Sequence, residues 1–207
     1  MFLGVLNLPT VVTFLGMFLA LTTIFLAFHG HFAGALISLM FAGICDLSDG
    51  ALARRMEMTD DERAFGVQID SIVDMASFGV TPALFGLLLG MQSIPDMILL
   101  TFFVSCAAMR LAYFNVHGLV AEGGKKFYTG LPVTYAAIIF PLITVLQTVI
   151  PPDIFAIVFR ATVFLTAMAF ITRVQTPKPQ GKTLLIFPVL AIGFTVFYAT
   201  TTIHPLP

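Results

Sequence analysis

Charge is what this chain has least of. Of 207 residues only 10% are Asp, Glu, Lys or Arg, against roughly 25% in an ordinary soluble domain. Water is therefore the wrong solvent for most of the surface. The net charge is −1, so nothing argues for nucleic acid as a partner. Cysteine is nearly absent too. Cys45 and Cys106 lie inside apolar runs and read as small buried thiols rather than a disulfide. The N-terminus lacks a basic stretch ahead of its first apolar run, so no cleavable signal is expected. Strand alternation, internal repeats and long linkers are missing as well. What remains is apolar: 58% of residues are hydrophobic and the mean hydropathy is +1.00.

Those absences leave a polytopic membrane protein. A spanning helix needs about 20 apolar residues. Seven stretches qualify, roughly 9–28, 32–53, 67–90, 95–116, 131–150, 154–172 and 183–203. The breaks between them carry loop chemistry: His29-Gly30-His31, the polar run 54–65, Gln92 to Asp96, the glycine-rich 118–130, Pro151-Pro152-Asp153, and 174–182. The expected fold is an all-α membrane helix bundle forming a single domain over 1–207. The 10 Met and 22 Phe are read as lipid-facing or packing residues. With a cytoplasmic N-terminus, the inner loops hold Arg54, Arg55, Arg63, Lys125, Lys126, Arg173, Lys178 and Lys182. Arg110 falls near an inner helix end, and Arg160 is the outlier.

The most informative stretch is 46–74, DLSDGALARRMEMTDDERAFGVQIDSIVD. Asp46 and Asp49 are spaced i, i+3, and Asp70 and Asp74 i, i+4, so each pair shares a helix face. Ionisable groups in membrane-length segments are costly and mark a site or a partner. Paired carboxylates suit hard divalent cations such as Mg²⁺, and two such ions can clamp a displacement at phosphorus. Gly50, Ala53 and Gly66 are small enough for a nucleotide to approach the helix backbone. Arg54 carries a permanent charge toward the same loop. Asp60, Asp61 and Glu62 read as solvated loop residues.

These residues resemble a known signature. The pattern D-x-x-D-G-x-x-A-R…G-x-x-x-D-x-x-x-D is that of the CDP-alcohol phosphotransferase family, and every fixed position is present. The resemblance implies a six-helix core and a homodimer. It implies two divalent cations, Mg²⁺ or Mn²⁺, on Asp46, Asp49, Asp70 and Asp74, with Asp74 as the base that deprotonates the attacking alcohol. It also implies a CDP site at Thr13, Asp49, Gly50, Ala53, Arg54 and Gly66. The family's P-N-x-x-T start survives as Pro9 and Thr13, with Thr10 replacing the asparagine; Pro9 also reads simply as a helix-start proline.

Three further stretches resemble the phosphatidylserine-forming branch of the family. They are Asp70-Ser71 with Ser77-Phe78-Gly79-Val80 and Pro82-Ala83, Arg110 to Val116, and Gly130-Leu131-Pro132 with Thr134. Tyr113 stands where many members have a second arginine, and Thr134 where many have a second proline. The resemblance implies transfer of a phosphatidyl group from CDP-diacylglycerol to L-serine, releasing CMP. Serine brings a carboxylate and an ammonium, and Arg110, Asn115, Lys126 and Tyr128 are the candidate acceptor-binding residues. The alternative for Arg110 is an anchor snorkelling to the interface, and for Lys125 and Lys126 a positive-inside pair. His117 reads as interfacial. Other acceptors, such as glycerol 3-phosphate or inositol phosphate, would call for more basic residues than the chain offers. A cation transporter would not need Gly50, Ala53, Arg54 and Gly66 at fixed offsets. The expected setting is a bacterial or archaeal plasma membrane, with the site facing the cytoplasm.

Overall fold

The computed structural model describes residues 4–122, 125–177 and 186–207, and the side chains within 121–126 lie outside that description. Helix α1, Leu8–Phe28, starts on Asn7, whose side chain accepts a hydrogen bond from the Thr10 amide. Pro9 sits in its first turn, where a missing N–H costs nothing. Thr13, Gly16, Ala20, Thr23 and Ala27 recur at helical spacing and form its buried face. Small residues let two membrane helices approach closely. Here they seat α1 on α2, Phe32–Ala53, and a Cβ on Gly16 would lie only 3.1 Å from the Cys45 Cβ. That close contact sets the depth at which α1 meets the aspartates of α2.

The third long helix begins earlier than the sequence reading placed it. Thr59 caps α3, Asp60–Asp74, in a reciprocal capping box with Glu62. Asp60, Asp61 and Glu62 are thus its first turn, where acidic residues complement the helix dipole, and are not loop. After Asp74 the helix widens into a π-helical stretch, Met75–Val80, before α4, Thr81–Leu89. Pro82 has no N–H to donate one turn back, and the Thr81 hydroxyl donates to the Ala76 carbonyl at 3.0 Å, five residues earlier.

Helix α5, Ile94–His117, is capped by Ser93 in a second capping box with Asp96. After it come β1, Val120–Glu122, and β2, Lys125–Thr129; α6, Ala136–Thr144, lies between 3₁₀ turns at Val133–Tyr135 and Val145–Thr148. The chain ends with α7, Pro152–Ile171, β3, Gln175–Pro177, and α8, Ile186–Thr200. Among the described residues, five helical segments are long and apolar enough to cross a membrane, while Val133–Thr148 and Ile186–Thr200 are shorter. The all-α bundle is borne out, with the helices falling where the seven apolar stretches lie.

Strands are the correction. β1, β2 and β3 form a small antiparallel sheet in that order, with Tyr128 opposite Thr176. The Gly130 amide donates to the Val174 carbonyl and the Leu131 amide to that of Ala169, tying the sheet to the end of α7. Gly130 has φ +78°, and a side chain there would run into the Phe170 carbonyl. The core is aromatic: Phe103 packs against Phe140 and Phe170, and Phe140 meets Phe159 edge-on. Cys106 is buried and Cys45 half-buried, both unpaired.

Candidate active site

Two helices deliver the four aspartates. Asp46 and Asp49 come from the last turns of α2, Asp70 and Asp74 from the second half of α3. Asp46, Asp49 and Asp70 each offer a carboxylate oxygen within 4.8 Å of the others. The Asp74 carboxyl lies within hydrogen-bonding reach of Asp46. From α1, the Thr13 hydroxyl donates to Asp49 at 2.6 Å, and from the turn before α6 the Thr134 hydroxyl donates to Asp46 at 2.9 Å. Asp49 is 5% exposed. Among the described residues none of the four has a Lys or Arg within ion-pair distance. Buried charge without a counter-charge is strongly unfavourable. An oxygen-rich, cation-poor cluster of this kind fits divalent metal ions.

A second observation supports that fit. Most helical hydroxyls here donate to the carbonyl one turn back, as Thr22, Ser48, Thr101 and Thr144 do. Ser77 does not: it is buried and its Oγ has no partner. The π-helical stretch that holds it breaks the usual i, i−4 geometry. Ser77 instead lines a small cavity of about 10 Å³ with Thr13, Asp46, Asp49 and Asp74. That is room for roughly one water-sized guest.

Beside the acids lies a cleft of about 180 Å³. Thr13, Asp49, Gly50, Ala53, Arg54 and Gly66 all line it, so the residues picked out for CDP share one cavity. A Cβ on Gly66 would meet nothing within 4 Å and would project into open space. The cleft also takes in Asn7, Met58, Glu62 and Arg63, none of which the sequence reading places in the site. Asn7 accepts from both the amide and the hydroxyl of Thr10; an asparagine two residues ahead of Pro9 was the available signal.

The acceptor candidates divide. Arg110 is 6% exposed, so it does not snorkel to the interface. Its guanidinium carbon sits 5.0 Å from the Phe114 ring centre and 5.5 Å from that of Tyr128, and its Nε has no partner. Asp74 and Asp46 are close enough to act on it electrostatically. Burial pushes the Tyr128 phenol above its usual range, with the Arg110 guanidinium pulling the other way. Asn115 is tied to Ser71, its amide donating to Ser71 Oγ at 2.9 Å. The Lys126 side chain lies outside the described residues.

Arg160, the outlier in the charge pattern, has a partner. Its Nε and Nη2 donate to the two Asp96 oxygens at 2.7 and 3.1 Å. Asp96, read as a loop residue, lies in the first turn of α5 and is 2% exposed.

Membrane-length helices around a carboxylate cluster, with Asp49 buried and its neighbours half-buried, define an integral membrane protein with an acidic, metal-compatible centre. Residues 6–174 match the model of the CDP-alcohol phosphatidyltransferase family, and the chain belongs to that family. Among curated relatives it is 38% identical over 99 residues to CDP-diacylglycerol–serine O-phosphatidyltransferase of Saccharomyces cerevisiae, covering 44% of this chain and 34% of the relative. It is 32% identical over 133 residues to archaetidylserine synthase of Methanothermobacter thermautotrophicus, covering 63% and 54%. Over 141 residues it is 29% identical to CDP-diacylglycerol–serine O-phosphatidyltransferase of Helicobacter pylori, covering 67% and 57%. The matched part spans about a third to just over half of these relatives' lengths.

Proposed function

We propose that the chain transfers the phosphatidyl group of CDP-diacylglycerol to L-serine, giving phosphatidylserine and CMP. The observation that carries this reading is convergence: four carboxylates meet beside a cleft lined by Thr13, Gly50, Ala53, Arg54 and Gly66. The cleft takes the CDP group, with the glycines and Ala53 admitting it against the helix backbones and Arg54 facing its diphosphate. Two divalent cations, Mg²⁺ or Mn²⁺, held by Asp46, Asp49, Asp70 and Asp74, would neutralise the diphosphate and the departing CMP. Thr13 and Thr134 fix the rotamers of Asp49 and Asp46.

Asp74 accepts the proton of the serine hydroxyl as its oxygen attacks the lipid-linked phosphorus and the bond to CMP breaks. Arg110 supplies the cation for the serine carboxylate. Its unpartnered Nε and its position next to Asp74 and Asp46 favour this role over that of a membrane anchor. Tyr128 holds the guanidinium from one face. Asn115 positions Ser71 beside Asp70. The functional unit is a homodimer of single-domain chains in a plasma membrane, with the centre on the cytoplasmic side.

An acceptor screen tests the reading. Purified protein with CDP-diacylglycerol and Mg²⁺ or Mn²⁺ is offered L-serine, glycerol 3-phosphate and inositol phosphate, and the lipid product is weighed by mass spectrometry. Phosphatidylserine as the main product supports serine. A preference for glycerol 3-phosphate leaves the chemistry standing and overturns the acceptor.

A further inference from the structure

A second cavity lies apart from the cleft. It encloses about 510 Å³ between the ends of α5 and α7, at the end of the bundle that carries the aspartates. Met109, Ala112 and Val116 of α5 and Phe170 and Ile171 of α7 make its apolar walls. Val116 is 78% exposed and Met109 56%, so the cavity opens at the outer surface of the helix bundle. Its charged lining is of one sign, because Arg110 and Arg173 contribute and no Asp or Glu does. Among the described residues neither arginine has a carboxylate within ion-pair distance.

Depth matters as much as charge. Arg173 follows the last turn of α7 and His117 closes α5. Both therefore sit where apolar helix gives way to polar loop, the level at which phospholipid phosphates lie. The space is far larger than free serine requires, and its walls are too apolar for a soluble anion alone. We propose that it seats an anionic glycerophospholipid from the surrounding bilayer. The phosphate lies against Arg173, and the upper acyl chain runs along Met109, Ala112 and Val116. This site is separate from the nucleotide cleft and does not depend on which alcohol the enzyme uses.

The probe is spin-labelled phosphatidylglycerol in nanodiscs of phosphatidylcholine, with the full chain reconstituted and the motionally restricted fraction read by electron paramagnetic resonance. Wild type should restrict phosphatidylglycerol in preference to spin-labelled phosphatidylcholine. Arg173→Gln should weaken that preference about fivefold, the contribution of one basic residue near a membrane surface, and Arg173→Lys should restore most of it. Ala112→Phe, which narrows the cavity without changing charge, should also release the probe. An unchanged melting temperature certifies that each variant is folded. Equal restriction of both lipids by wild type would overturn the proposal, and so would an Arg173→Gln variant indistinguishable from it.

Discussion

Among the described residues, the Asp96–Arg160 pair and the four-aspartate centre are built on opposite plans. Asp96 and Arg160 form a closed pair: both carboxylate oxygens accept from one guanidinium, and Ser93 donates to Asp96 as well. Every charge there has its counter-charge inside the protein. The centre at Asp46, Asp49, Asp70 and Asp74 is open. Its hydroxyl partners, Thr13 and Thr134, orient the carboxylates without neutralising them, and Ser77 presents an unused hydroxyl to the same space. A closed pair contributes to the fold. An open cluster needs something from outside, and the difference separates a structural device from a site.

Substitutions that touch the open cluster should therefore cost activity, and those in the closed pair should cost stability. The largest effect is expected for Asp46→Asn, Asp49→Asn or Asp70→Asn. Each should abolish turnover, a loss beyond the roughly 10²–10³-fold of a single electrostatic group at a reacting centre, because a ligand of the cation clamp goes with it. Mn²⁺ titration followed by electron paramagnetic resonance should show weaker metal binding in the same variants. Full activity in any of them breaks the comparison at its root. Asp74→Asn should lose about 10²–10⁴-fold in transfer rate through loss of the base, and CDP binding should fall much less. Equal losses in both would make Asp74 a ligand only.

Next comes Arg110→Ala, for which KM for serine should rise about ten- to a hundredfold, the worth of a charged hydrogen bond. Steady-state kinetics at saturating donor reads it, and an unchanged KM would remove Arg110 from the acceptor site. Asp96→Asn belongs to the other side of the comparison. Removing one partner of a buried pair destabilises, here by about 1–3 kcal/mol because the Arg160 side chain keeps 32% of its exposure. The melting temperature should drop while kcat of the folded fraction holds. The smallest effect is expected for Ser77→Ala. Turnover should fall about two- to tenfold through loss of the hydrogen bond that Ser77 would make to a guest in the cavity it lines, without loss of stability, because within the protein the hydroxyl has no partner. A fall in melting temperature with unaltered turnover would make Ser77 a packing residue.

What the sequence could reveal was local. Helical spacing places Asp46 with Asp49 and Asp70 with Asp74, and runs of apolar residues locate the helices, because both signals sit within a few turns of chain. The partners of those residues arrive from far away. Thr134 reaches Asp46 across 88 positions, and Arg160 reaches Asp96 across 64. No periodicity records such contacts. Asp96 looked like loop because its role, capping α5 while holding Arg160, needs a fold around it. The sheet was illegible for another reason. β1 and β3 are three residues each, too short for alternation to register, and β3 comes from beyond α7. The early start of α3, by contrast, was legible: Thr59 followed by Glu62 is a capping-box pattern.

The central claim, that the open cluster exists to hold metal and donor for attack by serine, has a direct test. CMP released from CDP-diacylglycerol is measured for purified wild-type protein in Mg²⁺, first without L-serine and then with it, and again after chelation. The account predicts little release without serine, rapid release once serine is added, and none in chelator or in Asp49→Asn. Release that ignores serine and survives both chelation and Asp49→Asn would contradict it.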